Sequence, residues 1–349
     1  MRRRSLTSLA RLGLSLAAAS LILVPLAAQA PQSGRRAAQA GTWKAPRTAD
    51  GQPDLQGVWA NNSATPLERP KELEGRERLT PQEMARLKAR AGALFNGAGD
   101  AAFGDEIFVA ALSDREKYVA DSFDKDTGNY NSFWLVDRDF DNRTSLIIDP
   151  PDGRVPPMLP QAEAKLQQFL VLGPGKADSH EDRPYSERCI TFGFPDLLAG
   201  YNSYYQIAQS KDHVAIYTER IHDTRVIPLD GRPHVAQSVR LWNGDSRGRW
   251  EGDTLVVDTT NFSSKTNFRG SSENFHMVER FTRVTPDTVA YEVTVTDPTT
   301  WTKPWPFMIP LKKSSDKIYE YACHEGNTGM FGVLNGARVL EKAAKPSGQ

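Results

Sequence analysis

The densest run of reactive side chains is Glu219-Arg220-Ile221-His222-Asp223-Thr224-Arg225. A histidine flanked by carboxylates and guanidinium groups offers acid–base chemistry. The stretch HVAIYTERIHDTRVI, 213–227, reads as one strand. Successive side chains on a strand face opposite ways, so His222 and Asp223 cannot form a dyad with each other. Glu219, Asp223 and Arg225 then share one face, and Arg220, His222 and Thr224 the other. Val214 and Ile216 fall on the His222 face and place its imidazole inward, where it could serve as a general base. The plainer reading is a charged outer face with one hydrogen-bonded core histidine.

A second group lies further on. Glu279 shares a face with Met277 and Phe281, and a carboxylate among apolar groups needs a partner. Arg225 or Arg283 could serve, and a structural ion pair is the favoured reading. Val289, Tyr291, Val293 and Val295 alternate with polar residues, and Asp297 continues their face. His324 and Glu325 follow Cys323 at the end of the run IYEYACHE, read as the last strand. The catalytic candidates are therefore His222, Asp223, Arg225, Glu279, Asp297 and His324. Tyr217, Tyr291, Trp301, Trp305 and Tyr321 are candidate ligand contacts. The segment DPTTWTKPWPF, 297–307, is too proline-rich for a central strand and resembles an aromatic loop or lid at a barrel mouth, though core packing of its large side chains is the slightly favoured reading.

No cofactor motif is present. His222, His234, His276 and His324 show neither HExxH nor His-x-His spacing, so a metal site would have to be gathered in space, with Asp223 or Glu325 as oxygen ligand. No metal is the expectation. Gly244-Asp245-Ser246 lacks the context of a nucleophile elbow and reads as a turn.

The elements that must position these groups are mainly β. From residue 201, short runs rich in Val, Thr, Tyr and Phe alternate with turn residues such as Asp230-Gly231 and Gly252-Asp253. Residues 201–345 read as an antiparallel β-barrel or sandwich, lipocalin-like in pattern. Residues 80–200 read as a mixed lead-in packed on it. Thr80-Pro81-Gln82-Glu83 opens an amphipathic helix over 81–95, a second short helix spans 160–170, and SFWLVD with TSLIID suggests a hairpin over 131–156. Residues 31–79 read as an extended arm, with Leu55, Val58 and Trp59 as docking anchors.

Residues 1–30 carry three arginines at 2–4, an apolar core and Ala28-Gln29-Ala30, the plan of a cleaved secretory signal peptide. The whole chain of 349 residues has 43 basic and 43 acidic side chains. This balance argues against a nucleic-acid partner. No long apolar run remains after residue 30, so the expectation is a periplasmic protein without a membrane span. Two cysteines exclude an iron–sulfur protein and a cysteine-rich zinc module. In an oxidising compartment Cys189 and Cys323 pair by default, stabilising by about 4–5 kcal/mol on chain-entropy grounds. Two buried thiols, or a thiol nucleophile, are the alternatives.

The motifs PDLQGVW (53–59), HDTRVIPLDGRPH (222–234), GDSRGRWEGDTLVVDTTNF (244–262) and YEYACHEGN (319–327) together resemble an uncharacterised family of exported bacterial proteins. The resemblance spans nearly all of the chain after residue 30 and implies export but no activity. Two functions remain in view. One is acid–base catalysis, as a lyase, isomerase or hydrolase, on an apolar or aromatic small molecule. The other is non-catalytic binding of such a molecule, with a structural envelope role behind both. Convergence of His222, Glu279 or Asp297, and His324 in one pocket would favour the enzyme.

Overall fold

A computed structural model describes residues 43–95, 105–113, 116–119, 138–172, 177–265 and 268–344. The expected signal peptide and the SFWLVD strand lie outside them. The strands are β1 (Gly57–Ala60), β2 (Tyr204–Gln209), β3 (His213–Thr218), β4 (Thr224–Pro228), β5 (Asp245–Glu251), β6 (Thr254–Thr260), β7 (His276–Thr285), β8 (Thr288–Thr296) and β9 (Trp305–Ser314). They form one antiparallel sheet in the order β4-β3-β2-β1-β9-β8-β7-β6-β5. Four helices accompany it among the described residues: α1 (Pro81–Leu94), α2 (Glu106–Leu112), α3 (Pro160–Leu172) and α4 (Thr328–Ala344).

Period-two burial builds the core. Val289, Tyr291, Val293 and Val295 of β8 are fully buried, while the alternate positions stay half-exposed. Met277, Glu279 and Phe281 of β7 and Phe307, Ile309 and Leu311 of β9 point the same way. These side chains share one cluster with Ile207, Val214 and Ile227 from the other half of the sheet. The sheet therefore curls so that the inner faces of its two halves pack on each other, the sandwich principle. Its ends come close: a Cβ on Gly248 of β5 would lie 2.6 Å from the Leu229 Cδ2 atom and 2.8 Å from the Ile227 Cγ2 atom, beside β4. No hydrogen-bonded ladder joins β4 to β5 among the described residues, so the sheet is not closed into a barrel.

Helix α1 starts where the capping signal puts it. The Thr80 hydroxyl accepts from the Glu83 N–H, and the Glu83 carboxylate accepts from the Thr80 N–H. Arg76 and Thr80 together hold that carboxyl down to about 2. Leu87 and Ala91 pack with Ile107 and Phe108 of α2 in a second, smaller core. In α3, Leu166 is half-buried and Ala164 exposed.

Several expectations need correction. The 31–79 segment is not only an arm: β1 lies in the middle of the sheet, between β2 and β9. Its Trp59 is fully buried, with the indole N–H donating to the Leu55 carbonyl at 2.8 Å. TSLIID forms no strand, and Ile147 makes only an isolated bridge to Phe307. Residues 213–227 form a hairpin rather than one strand. The chain reverses through a 3-10 turn, Arg220–His222, with Ile221 at φ 53° and His222 at φ 47°. Two successive left-handed residues fit the twist of a tight hairpin.

Asp230-Gly231 opens a long loop, 229–244, instead of a tight hairpin. Residues 319–326 form no strand: they run along the surface as an irregular strap joined by the Cys189–Cys323 disulfide. The strap leads into α4, which has no buried residue and leaves Phe331, Val339 and Leu340 exposed.

The proline-rich segment departs from expectation as well, since residues 305–307 belong to a central strand. Trp305, Pro306 and Phe307 start β9, and Pro306 and Pro310 pair with Thr294 and Ala290 of β8. The Met308 N–H points away from β8, to the Leu146 carbonyl at 2.9 Å. By the same period, positions 306 and 310 also turn their nitrogens away from β8, so neither proline removes a bond from that ladder.

Candidate functional site

The six catalytic candidates do not share one place. Glu279, Arg225 and Tyr291 meet at the centre of the core. Arg225 donates from Nη1 to Glu279 Oε2 at 2.5 Å and from Nη2 to Glu279 Oε1 at 2.8 Å. The Tyr291 hydroxyl donates to Glu279 Oε1 at 2.7 Å. The Phe194 ring lies against the guanidinium, 4.1 Å from centroid to Cζ. Burial alone would pull the Arg225 guanidinium down, but the Glu279 charge and hydrogen bonds outweigh it and hold the cation on. Burial, and then the nearby Glu279 charge, push the Tyr291 hydroxyl well up, so it stays a donor. This is the structural ion pair expected of Glu279, with Arg225 rather than Arg283 as partner. A closed pair of this kind has no room for a substrate.

His222 and His324 lie elsewhere, at the surface, with ring centroids 6.3 Å apart. The inward placement of His222 is overturned, because the hairpin turn breaks the strand period before it reaches the ring. Glu219, Arg220 and Ile221 are the buried residues of this corner. Tyr217 is half-exposed on the outer face of β3, and Tyr321 is half-exposed in the strap. Trp301 and Trp305 are core residues, not a lid: both are buried, and their rings meet edge-on at 5.5 Å. Asp297 is a turn-builder. Its carboxylate accepts from the Ser272 N–H at 2.6 Å and the Thr299 N–H at 2.9 Å.

Asp223 belongs to another place. Its carboxylate accepts from the Thr191 hydroxyl at 2.7 Å, the Phe192 N–H at 3.2 Å and the Asn243 amide at 2.9 Å. Burial raises this carboxyl, and the three donors oppose the rise. Asp223 thereby ties the 191–193 segment to Asn243, next to Trp242. Both Phe192 and Trp242 line a cleft of about 540 Å³.

That cleft gathers side chains from several segments of the chain. One wall carries Tyr185, Phe192 and Phe194. The Tyr185 ring meets Trp242 at 4.9 Å. The opposite wall carries Phe262, Phe268 and Phe275, with Phe268 and Phe275 stacked at 5.6 Å. Phe192 and Trp242 remain about two-fifths exposed, at 41% and 40%, so they present ring faces to whatever enters.

Behind Phe192 the wall is stiffened by a buried pair. The Arg220 Nη1 atom donates to both Asp196 oxygens at 2.6 Å, and the guanidinium lies 4.4 Å from the Phe192 centroid. Burial raises the Asp196 carboxyl, and the Arg220 charge counters it. The Asp196 carbonyl also accepts from the Tyr205 hydroxyl at 3.1 Å. Asp196 is not among the sequence candidates because 171–200 reads as irregular, and Arg220 stands there only as a neighbour of His222. The available signal was the run FGFPD, 192–196, whose two rings stand out in a polar stretch.

The other histidine pair stands outside the cleft. His234 presents Nδ1 to Asp245 at 2.9 Å and Nε2 to Asp258 at 3.0 Å; the His276 Nε2 atom lies 3.0 Å from the other Asp258 oxygen. The contacts pin the 229–244 loop, which carries Trp242, onto β5 and β6. Burial pushes the Asp258 carboxyl up, but the bonds and charge of His276 and His234 win and leave it below its ordinary value. A depressed carboxyl stabilises the fold above its unfolded pKa, near 4, and loses that contribution as pH falls through the folded value. Asp258→Asn should therefore cost about 2 kcal/mol near pH 5, with the gap to wild type closing at lower pH. Melting curves across that range check it, and a pH-independent gap would contradict it.

Among the described residues no group of three or more His, Cys, Asp or Glu side chains could hold a metal ion. No described helix is long and apolar enough to cross a membrane. No family model, curated protein or solved structure matches the chain at a significant level.

Proposed function

We propose that this chain is an exported protein that binds an aromatic or apolar small molecule in the cleft between Phe192, Trp242 and Phe268. The observation that carries the reading is the volume of about 540 Å³ with aromatic side chains on both walls. Such a space suits one small ligand, and ring–ring contacts contribute about 0.5–1.5 kcal/mol each beyond area burial. The disulfide fits the oxidising compartment expected from residues 1–30. The curled sheet would serve as the rigid support, in the manner of a lipocalin-like barrel, with irregular segments forming the mouth. Binding is preferred to acid–base catalysis because His222 and His324, Glu279, and Asp297 lie apart and none of them lines the cleft.

The test is titration of the protein with one- and two-ring aromatic compounds, followed by intrinsic tryptophan fluorescence and calorimetry. Saturable one-to-one binding is expected. Trp242→Ala and Phe192→Ala should each weaken it by about tenfold while leaving the melting temperature nearly unchanged. Saturable binding untouched by both substitutions, or no binding by any compound, would sink the reading.

A further inference from the structure

We infer that the ligand of this cleft is an aromatic acid: a planar ring system for the walls, carrying a carboxylate that meets the basic side chains at the mouth. The inference rests on the binding reading above and names the chemistry it would select.

The charged groups lining the cleft are Lys165, Arg183, Lys265 and Arg269 against Glu181 and Asp182. Their commitments differ. Arg183 is buried and forms a two-pronged pair with Glu187, at 2.8 and 2.9 Å. Asp182 closes the capping box of the 3-10 turn His180–Asp182, accepting from the Ser179 N–H at 2.9 Å. Both are occupied in holding that wall together. The exposed groups left facing the opening are Lys165, Lys265 and Arg269, with Glu181 as the one exposed acid. The mouth therefore carries an excess of positive charge, although the whole sequence is charge-balanced. The cations come from separate segments, Lys165 from α3 and the other two from 264–275. They converge on one opening and do not form a run along one element.

The local backbone supports a formed mouth. Arg269 and Gly270 are consecutive left-handed residues, at φ 51° and 88°. A Cβ on Gly270 would meet only the movable Met158 Cε atom, at 2.9 Å, so it is the left-handed backbone rather than lack of space that calls for glycine there. The Ser271 hydroxyl accepts from the Phe268 N–H at 2.9 Å and closes the same turn. Phe268 and Arg269 are thus carried on one tight turn, an aromatic wall residue beside a cation. The Arg269 charge also reaches the Asp105 carboxylate, which it helps to hold down; a neutral aromatic would use Phe268 alone, whereas an aromatic carboxylate would use Phe268 and the cation together. A charge-assisted hydrogen bond from lysine or arginine to a carboxylate is about twice as strong as a neutral one. It would also set which end of the ligand enters last.

The experiment compares 2-naphthoate with 2-naphthalenemethanol, which share the rings and differ in charge. Each is titrated into the full-length wild-type protein, into Trp242→Ala and into the triple variant Lys165→Met, Lys265→Met, Arg269→Met. Melting curves establish that the variants, altered at exposed positions, remain folded. Wild type should bind the acid about tenfold or more tightly than the alcohol. The preference should collapse in the triple variant and shrink as salt is raised. If acid and alcohol bind equally and Trp242→Ala weakens both, the charge inference falls and the cleft reading stands. If neither compound binds, both fall. If the acid preference survives in the triple variant, the anion is recognised elsewhere and the inference is overturned.

Discussion

Glu279→Leu should lower the stability of this protein by about 3–5 kcal/mol, the largest effect expected of any single substitution in the core. The carboxylate is fully buried, and it satisfies both the Arg225 guanidinium and the Tyr291 hydroxyl. Removing it leaves a cation and a donor inside an apolar cluster, and an uncompensated buried charge is far costlier than a lost contact. The double variant Arg225→Met, Glu279→Leu removes the stranded charge with its partner. It should regain most of the loss, because well-packed apolar side chains often replace buried pairs without penalty. The remaining deficit, about 1–3 kcal/mol, is the Tyr291 hydroxyl left without an acceptor. Urea unfolding at pH 7 measures all three proteins. A single variant within 1 kcal/mol of wild type would mean that water reaches Arg225, and the account of a closed core would fail.

The second large effect is expected from the disulfide. Cys189 and Cys323 stand 134 residues apart in sequence, with Cα atoms 5.6 Å apart. A cross-link over so long a loop restricts the unfolded chain strongly, by about 4–5 kcal/mol in the entropic account. The double variant Cys189→Ser, Cys323→Ser should therefore melt roughly 10 °C lower. Local loosening should accompany the global loss. Besides the bridge, the strap 315–327 is tied mostly by exposed or half-exposed contacts, among them the Tyr204 hydroxyl to Asp316 at 3.2 Å, the Tyr319 N–H to a Glu219 oxygen at 3.3 Å, the His222 ring nitrogen 3.4 Å from the Tyr321 carbonyl, and the Asn327 amide to the Glu187 carbonyl at 3.1 Å. Hydrogen exchange should rise first in the strap and in α4, which the strap delivers to the surface. Unchanged exchange there with a lowered melting point would show that the bridge acts on the unfolded chain alone. Unchanged melting would show that the loop is already restrained before folding.

Much of the architecture was legible wherever one local period governed. Val289 to Val295 alternates without interruption, and β8 is buried in that alternation. Thr80 and Glu83 cap α1 because a capping box is completed within four residues. The need of Glu279 for a cationic partner followed from its place between Met277 and Phe281. The disulfide followed from the count of two cysteines and the expected compartment. Each of these rests on neighbours in sequence or on chemistry that allows one economical answer.

What failed needed information from distant parts of the chain. His222 was placed by extending the period of β3 through Ile221, where the backbone turns left-handed and the period ends. Trp305 was assigned to a loop because proline opposes strands, yet Pro306 and Pro310 sit where their missing N–H groups face away from β8. β1 reads as an arm because four residues carry too little pattern to reveal strand partners 144 or more positions away. The cleft was the least visible feature. Its walls come from 185–194, Trp242, 262–265 and 268–275, which have no regular period, and its rim includes Lys165 of α3. Local spacing and side-chain chemistry were enough for the β-rich class, the starts of α1 and α3, the cysteine pair and the polar groups that required partners. Only the tertiary structure decided which arginine met Glu279, which histidines reached the surface and where the aromatic rings gathered, because these depend on how the sheet curls and brings remote segments together.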